Sequence, residues 1–300
     1  MDNAKVISKA REFAARHLVR DGAAFSLADH DPADTWPYGP SGKDDAQELL
    51  AESTRVLSEL QEMLYAQDRW SLLVMFQAMD AAGKDCAIKH VMTGINPQGC
   101  EIHAFKAPSA EERDHDFMWR CTRLAPRRGM IGIFNRSAYE EVLVVRVHPE
   151  LLRAQQLPAE LVTDRIWQER FRDLCAHEQY LAANGTMVRK IFLHVSRDEQ
   201  RRRFLKRIDD PARNWKFSEA DVAERAHWDE YRRAYEDAIR STARPHAPWA
   251  VVPADQKWYT RLVVASIMVD ALASVDLHFP KLDDAAAARL AAARARLESE

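Results

Sequence analysis

Residues 71–92 read SLLVMFQAMDAAGKDCAIKHVM. After Ser71 the run LLVMF is continuous enough for a strand buried on both faces, and CAIKHVM has the period of a helix. Between them lies a loop of small residues. Strand, small-residue loop and helix is the setting that a phosphate loop requires: backbone N–H groups at a helix N-terminus, helped by the helix dipole, surround phosphate oxygens. Ala82 and Gly83 let the backbone approach, and Lys84 adds a mobile positive charge. Against the pattern G-x-x-x-x-G-K-[ST] the loop departs twice: Ala78 stands at the first glycine, and Asp85 stands where a Mg²⁺-binding hydroxyl belongs. Asp80 offers a compensation, because a carboxylate inside the loop can hold Mg²⁺ against phosphates or orient an acceptor group.

Outward from this stretch, short apolar runs alternate with amphipathic helices. EIHAF (101–105), MIGIF (130–134), VRKIFLHV (188–195) and WAVV (249–252) join SLLVMF (71–76) as expected strands. The alternation predicts an α/β fold, a mostly parallel five-stranded sheet covered by helices on both faces. Residues 1–67 are expected to form an N-terminal helical extension, with a helix to about Val19, a loop rich in Asp, Pro and Gly, and a long helix from about Ala46 to Gln67. Residues 68–275 form the expected catalytic unit, with a lid at about 197–240, and residues 276–300 a peripheral helix or tail. Helix starts are marked at Ser109-x-x-Glu112, Ser196-x-x-Glu199 and Ser218-x-x-Asp221, each a hydroxyl three residues before an acid.

Composition narrows the function classes. The formal net charge of −3 argues against a surface that coats nucleic acid, and no stretch has the length or apolarity of a signal peptide or membrane span, so a cytoplasmic protein is expected. Cys86, Cys100, Cys121 and Cys175 are scattered without a C-x-x-C pair, which points to neither a disulfide framework nor a cysteine zinc site. His115 is flanked by Asp114 and Asp116, but adjacent residues on a helix point apart, so these carry little weight as a metal cluster. The average charge hides a patch: Arg189–Arg207 holds eight basic residues against two acidic ones, a local balance of +6.

The second half of a phosphate site is expected where the strand MIGIF ends on Asn135 and Arg136, the place at which a P-loop enzyme carries a second carboxylate. Asparagine supplies no charge, so a metal here leans on Asp80; Arg136 can grip a phosphoryl group with two donors, or pair with Glu140 or Glu141. The basic patch falls on the helix SRDEQRRRFLKRIDDP, with Phe204, Leu205 and Ile208 expected to face inward and Arg203, Lys206 and Arg207 grouped within one turn. Asn214, Trp215 and Lys216 follow in a loop. Such an arginine-bearing helix and loop suits a lid that closes over phosphates and excludes water. The residues by themselves point to a kinase that moves a phosphoryl group between a phosphate donor and a nucleotide, and leave open an ATP-dependent nucleoside or nucleotide kinase with a variant loop and a non-catalytic binding module.

From about Gln67 to Leu272 the chain resembles the polyphosphate kinase 2 family, through FQAMDAAGKD, INPQGCEIHAFKAPSAEERDHDFMWR, IGIFNRSAYEEVLVVRVHPE, IFLHVSRDEQRRRFLKRIDDPARNWKFS and WAVVPADQKWY in that order. The resemblance implies a P-loop kinase-like three-layer fold with a helical lid, Mg²⁺ as cofactor with Mn²⁺ as a substitute, and phosphoryl transfer between inorganic polyphosphate and nucleotides. FQAMDAAGKD and FNRSAYEEV look like the class III branch, which implies AMP and ADP as acceptors, with guanine nucleotides as a further acceptor class. It assigns Asp80 and Lys84 to the Walker A loop and Asn135 with Arg136 to the Walker B end, where other branches have Asp at the position of Asn135. Arg203, Lys206 and Arg207 match the family's lid residues, and Lys89 is a further contact for a polyphosphate channel. It also implies a homo-oligomer, with the N-terminal helices as an interface.

Overall fold

A computed structural model describes residues 2–212 and 214–300, leaving out the side chain of Lys216. In chain order the longer elements are α1 (Asn3–His17), β1 (Leu18–Val19), α2 (Lys43–Gln67), β2 (Ser71–Ala78), α3 (Lys84–Val91), β3 (Cys100–Ala104), β4 (Ile131–Asn135), α4 (Ile166–Ala183), β5 (Thr186–His194), α5 (Arg197–Asp209), α6 (Trp228–Thr242), β6 (Trp249–Pro253), α7 (Lys257–Leu272) and α8 (Asp284–Glu298). The sheet runs β1-β6-β5-β2-β4-β3. Its five long strands are parallel, and β2 and β5, buried along their whole length, form the centre.

The five expected strands are all present, and the sheet has a sixth. Leu18 and Val19 extend beside β6, antiparallel, opposite Ala250 and Trp249. Two residues carry no readable alternation, so only the packing of α1 reveals this edge: His17 is buried and its Nε2 lies 3.0 Å from the Tyr259 hydroxyl on α7. β3 is the opposite edge and is half-exposed.

α7 is buried on nearly every face because it lies between the sheet and the N-terminal helices. Val6, Ala10 and Phe13 of α1 and Leu49, Val56, Leu57 and Leu64 of α2 belong to the same core as the strands. The apolar faces of the N-terminal helices are thus buried on their own chain, as the apolar face of the long helix leads one to expect. α4 and α6 cover the other side of the sheet. Ser109 closes a full capping box with Glu112, the Ser196 hydroxyl accepts from Glu199 N, and the Ser218 hydroxyl accepts from Ala220 N. α8 buries none of its residues, as its alanine-rich sequence predicts. No helix among the described residues is long and apolar enough to cross a membrane.

Burial also breaks up the basic patch. Arg189 and Lys190 lie on β5, where Lys190 is fully buried and donates to Glu178 Oε2 at 2.6 Å, the Tyr139 hydroxyl at 3.1 Å and the Thr242 carbonyl at 2.8 Å. The exposed charge comes from α5. Of that helix's expected inward stripe only Phe204 is buried; Leu205 and Ile208 are exposed, because α5 rests on the lip of the sheet through Gln200, Arg203 and Phe204.

Candidate active site

At the C-terminal end of β2 the chain turns through Asp80–Gly83 into α3. Ala81 and Gly83 have φ of +58° and +106°, and Arg136 at the end of the neighbouring β4 has +68°. Left-handed backbone at two non-glycine residues costs about 1 kcal/mol or more each and persists where surroundings hold it. Those surroundings are visible. Lys84 Nζ reaches back to the Ala78 carbonyl at 2.8 Å, closing the loop on its own strand. From α5, Gln200 Nε2 donates to the Asp80 carbonyl at 2.9 Å, and Arg203 Nη1 donates to the carbonyls of Ala81 and Ala82. Three successive carbonyls of the loop thus face α5.

Arg203 lines the cleft beside the phosphate loop. Its Nε bonds Glu199 at 2.7 Å, its Nη1 takes the two loop carbonyls, and its Nη2 takes the carbonyls of Ala254 and Asp255. All five guanidinium donors are thereby engaged with protein, so Arg203 clamps the loop while lining the same cleft as Lys84 and Arg136. The remaining expected cations are placed on the cleft. Lys84, Lys89, Lys206 and Arg207 line it with Asp80, Ala82, Gly83 and Arg136. Arg207 is bonded to Asp221 Oδ2 at 3.2 Å. Lys206 and Lys257 also line an adjoining groove with Lys43, Arg202 and Arg261, so the basic wall continues past the loop.

Arg136 stands between two carboxylates, 3.6 Å from Asp80 Oδ1 and 3.4 Å from Glu140 Oε2. Though partly stripped of water, its guanidinium is held protonated by Glu140 and Asp80. Burial raises the Glu140 pKa against the pull of Arg136 and Lys84. Burial, and then the Arg136 charge, lower that of Lys84, with Asp80, Glu140 and Asp85 opposing. Burial thus disfavours the charged forms of Glu140 and Lys84, with nearby opposite charges opposing it, a balance that a phosphate ligand would change. Asn135 is not among the residues that line the cleft; its Nδ2 donates to Asp85 Oδ1, which is, at 2.8 Å.

Asp80, Arg136 and Asp221 line a second, aromatic cleft together with Glu140, Glu224, Arg225, Trp228, Tyr231 and Tyr235. Sequence reading missed most of this wall. Trp228, Tyr231 and Tyr235 recur at helical spacing on α6, a signal that core packing produces equally well. Glu140 was readable only as a pairing partner four residues after Arg136, and Gln200 as a residue one turn before Arg203.

The donor set fits a hard divalent cation. Among the described residues no group of three or more His, Cys, Asp or Glu is arranged to hold a metal ion. Asp80 and Asp85 nonetheless bring carboxylates to the phosphate cleft. One or two carboxylates completed by substrate phosphates is how Mg²⁺ is ordinarily bound.

Comparison with known proteins agrees with this geometry. The model of the family Polyphosphate kinase 2 (PPK2) matches residues 40–280. An ADP-polyphosphate phosphotransferase of Rhodopseudomonas palustris is 51% identical over 240 residues, 80% of this chain and 83% of that one. An AMP/ADP-polyphosphate phosphotransferase of Meiothermus ruber is 42% identical over 270 residues, 90% of this chain and 97% of that one. The crystal structure of polyphosphate kinase 2 from Arthrobacter aurescens superposes with a TM-score of 0.84 at 41% identity, covering 94% of this chain and 95% of that one. With its loop, its sheet and its family match over four-fifths of its length, this chain belongs to the polyphosphate kinase 2 family.

Proposed function

We propose that this protein is a cytoplasmic, Mg²⁺-dependent kinase that transfers phosphoryl groups from inorganic polyphosphate to AMP and ADP, reversibly, giving ADP and ATP. The observation that carries this reading is that Asp80 and Arg136 wall two clefts at once, one basic and continuous, the other aromatic. A polyanion with a charge on every phosphate suits a track of cations, from Lys43 through Lys257 and Lys206 to Lys84 and Lys89. A nucleotide suits the cleft lined by Trp228, Tyr231 and Tyr235.

In this arrangement the loop N–H groups and Lys84 hold the terminal phosphoryl group, and Arg136 neutralises charge shared between donor and acceptor. Asp80 would hold the cation, which when bound neutralises charge on the transferring phosphoryl oxygens. An oxygen of the acceptor's terminal phosphate attacks in line; the phosphoanhydride bond to the rest of the chain breaks, and the polyphosphate leaves one unit shorter. Closure of the lid, about residues 197–240, excludes water that would otherwise accept the group. Assembly into a homo-oligomer, without nucleic acid or membrane, completes the proposal and is measured by light scattering.

The test mixes polyphosphate and Mg²⁺ with AMP, ADP, GMP or GDP and no ATP. ADP and ATP are expected products, and the guanine arms read base preference. Turnover only with ATP as donor would overturn the reading in favour of an ATP-dependent nucleotide kinase. Binding of polyphosphate without turnover would leave a binding module.

A further inference from the structure

The two departures of this site from an ordinary P-loop are joined by a hydrogen bond. Asn135 stands at the strand end where a carboxylate belongs, and Asp85 stands on α3 where a hydroxyl belongs. The Asn135 amide donates to Asp85 Oδ1 at 2.8 Å. In the ordinary arrangement the Mg²⁺ is held between a strand-end Asp and the Ser or Thr that follows the loop lysine. Here one carboxylate is kept and its position exchanged, from strand to helix.

We propose that Asp85, oriented by Asn135, is the second cation-directed carboxylate of this site, in place of the strand-end acid. This rests on the reading of the cleft as a Mg²⁺-dependent phosphoryl-transfer site. Three points support it. First, the chemistry of the pair is one-directional: a carboxylate only accepts, so the amide must present its N–H, which fixes one oxygen of Asp85 and leaves the carboxylate further lone pairs for a cation. Second, the pair conserves charge. An Asp at both positions would set two carboxylates within hydrogen-bond distance of each other, whereas Asn with Ser would leave no charge at all. Third, Asp85 and Asp80 line the same cleft, with Lys84 between them in sequence. A role confined to helix stability is the competing account, since an acid in the first turn of α3 also suits its dipole.

The experiment titrates Mn²⁺ alone into the full chain, following free Mn²⁺ by electron paramagnetic resonance and melting temperature in parallel. Asp85→Asn is expected to weaken Mn²⁺ binding about tenfold, and the exchanged double variant Asp85→Asn/Asn135→Asp to return it to within about threefold of the parent. Asn135→Asp alone is expected to melt lower without cation and to gain more from Mn²⁺ than the parent does. Asp80→Asn is the reference. If it loses Mn²⁺ while Asp85→Asn binds as the parent does, the role of Asp85 falls and the reading of the cleft stands. If neither variant changes Mn²⁺ binding, the cation-dependent reading of the cleft falls with it. A double variant as weak as Asp85→Asn, yet melting like the parent, would also overturn the exchange.

Discussion

Arg203 Nη1 lies 2.6 Å from the carbonyl oxygen of Ala82, so the helix that flanks the cleft grips the phosphate loop by its backbone. The same guanidinium bonds the Ala81 carbonyl, next to the left-handed φ of Ala81. With the carbonyls of Asp80, Ala81 and Ala82 held toward α5, the shape of the loop depends on α5.

Arg203→Lys separates a clamp from a charge. A phosphate ligand would tolerate lysine, whereas a clamp needs the planar five-donor fork. We expect Arg203→Lys to lower kcat about a hundredfold, with a melting temperature several degrees lower and faster hydrogen exchange at residues 80–83, since breaking a buried charged network costs about 3–5 kcal/mol. Activity within a few-fold of the parent would show that the charge alone matters.

Asp80 and Lys84 line the cleft beside the phosphate loop, and Asp80→Asn and Lys84→Ala remove little of the core. Each is expected to lower polyphosphate-driven ATP formation from ADP by about a thousandfold or more, with the melting temperature within a few degrees of the parent. A variant that keeps a tenth of the activity would remove that residue from the chemistry.

The buried pair Lys190–Glu178 ties β5 to α4 and, through the Tyr139 hydroxyl, to the turn that follows Arg136. Lys190→Met leaves Glu178 uncompensated and should cost about 3–5 kcal/mol in urea unfolding. Lys190→Met with Glu178→Leu should recover part of that loss, because no buried charge is left, although the Tyr139 hydroxyl and the Thr242 carbonyl lose these partners. A double variant less stable than the single one would contradict this account.

Acid sensitivity should come from two buried histidines. Burial lowers His17 and His194 to about 4, from the ordinary value near 6.5. In each case the unfolded state binds the proton more readily, so stability is full above pH 6.5 and falls as the pH drops toward 4, by on the order of 3 kcal/mol for each group. Urea midpoints measured from pH 7.5 to 4 should show this slope, and His17→Gln should reduce it by about half, leaving the share of His194. A flat profile in the parent would remove both groups from the account.

The strand, loop and helix of residues 71–92, the other four parallel strands and the three serine caps were legible in the sequence because each depends on local periodicity or on a hydroxyl two or three residues from its partner. Asp80, Lys84 and Arg136 were legible because they stand at the ends of apolar strands, where backbone direction changes and side chains gather. Position along the chain could not show which basic residues are available to a ligand. Lys190 belongs to the same run of charge as Lys206, yet one lies in the core and the other on the cleft. That Arg203 donates to carbonyls from two distant segments is likewise visible only in the fold. The same holds for Asp85 and Asn135, 50 residues apart, each a departure alone and a hydrogen-bonded pair only when β4 lies beside β2. Sequence alone determined the elements and the chemistry at their ends. The tertiary structure decided which partner each charged group meets, because burial and pairing depend on distances between segments that no local pattern records.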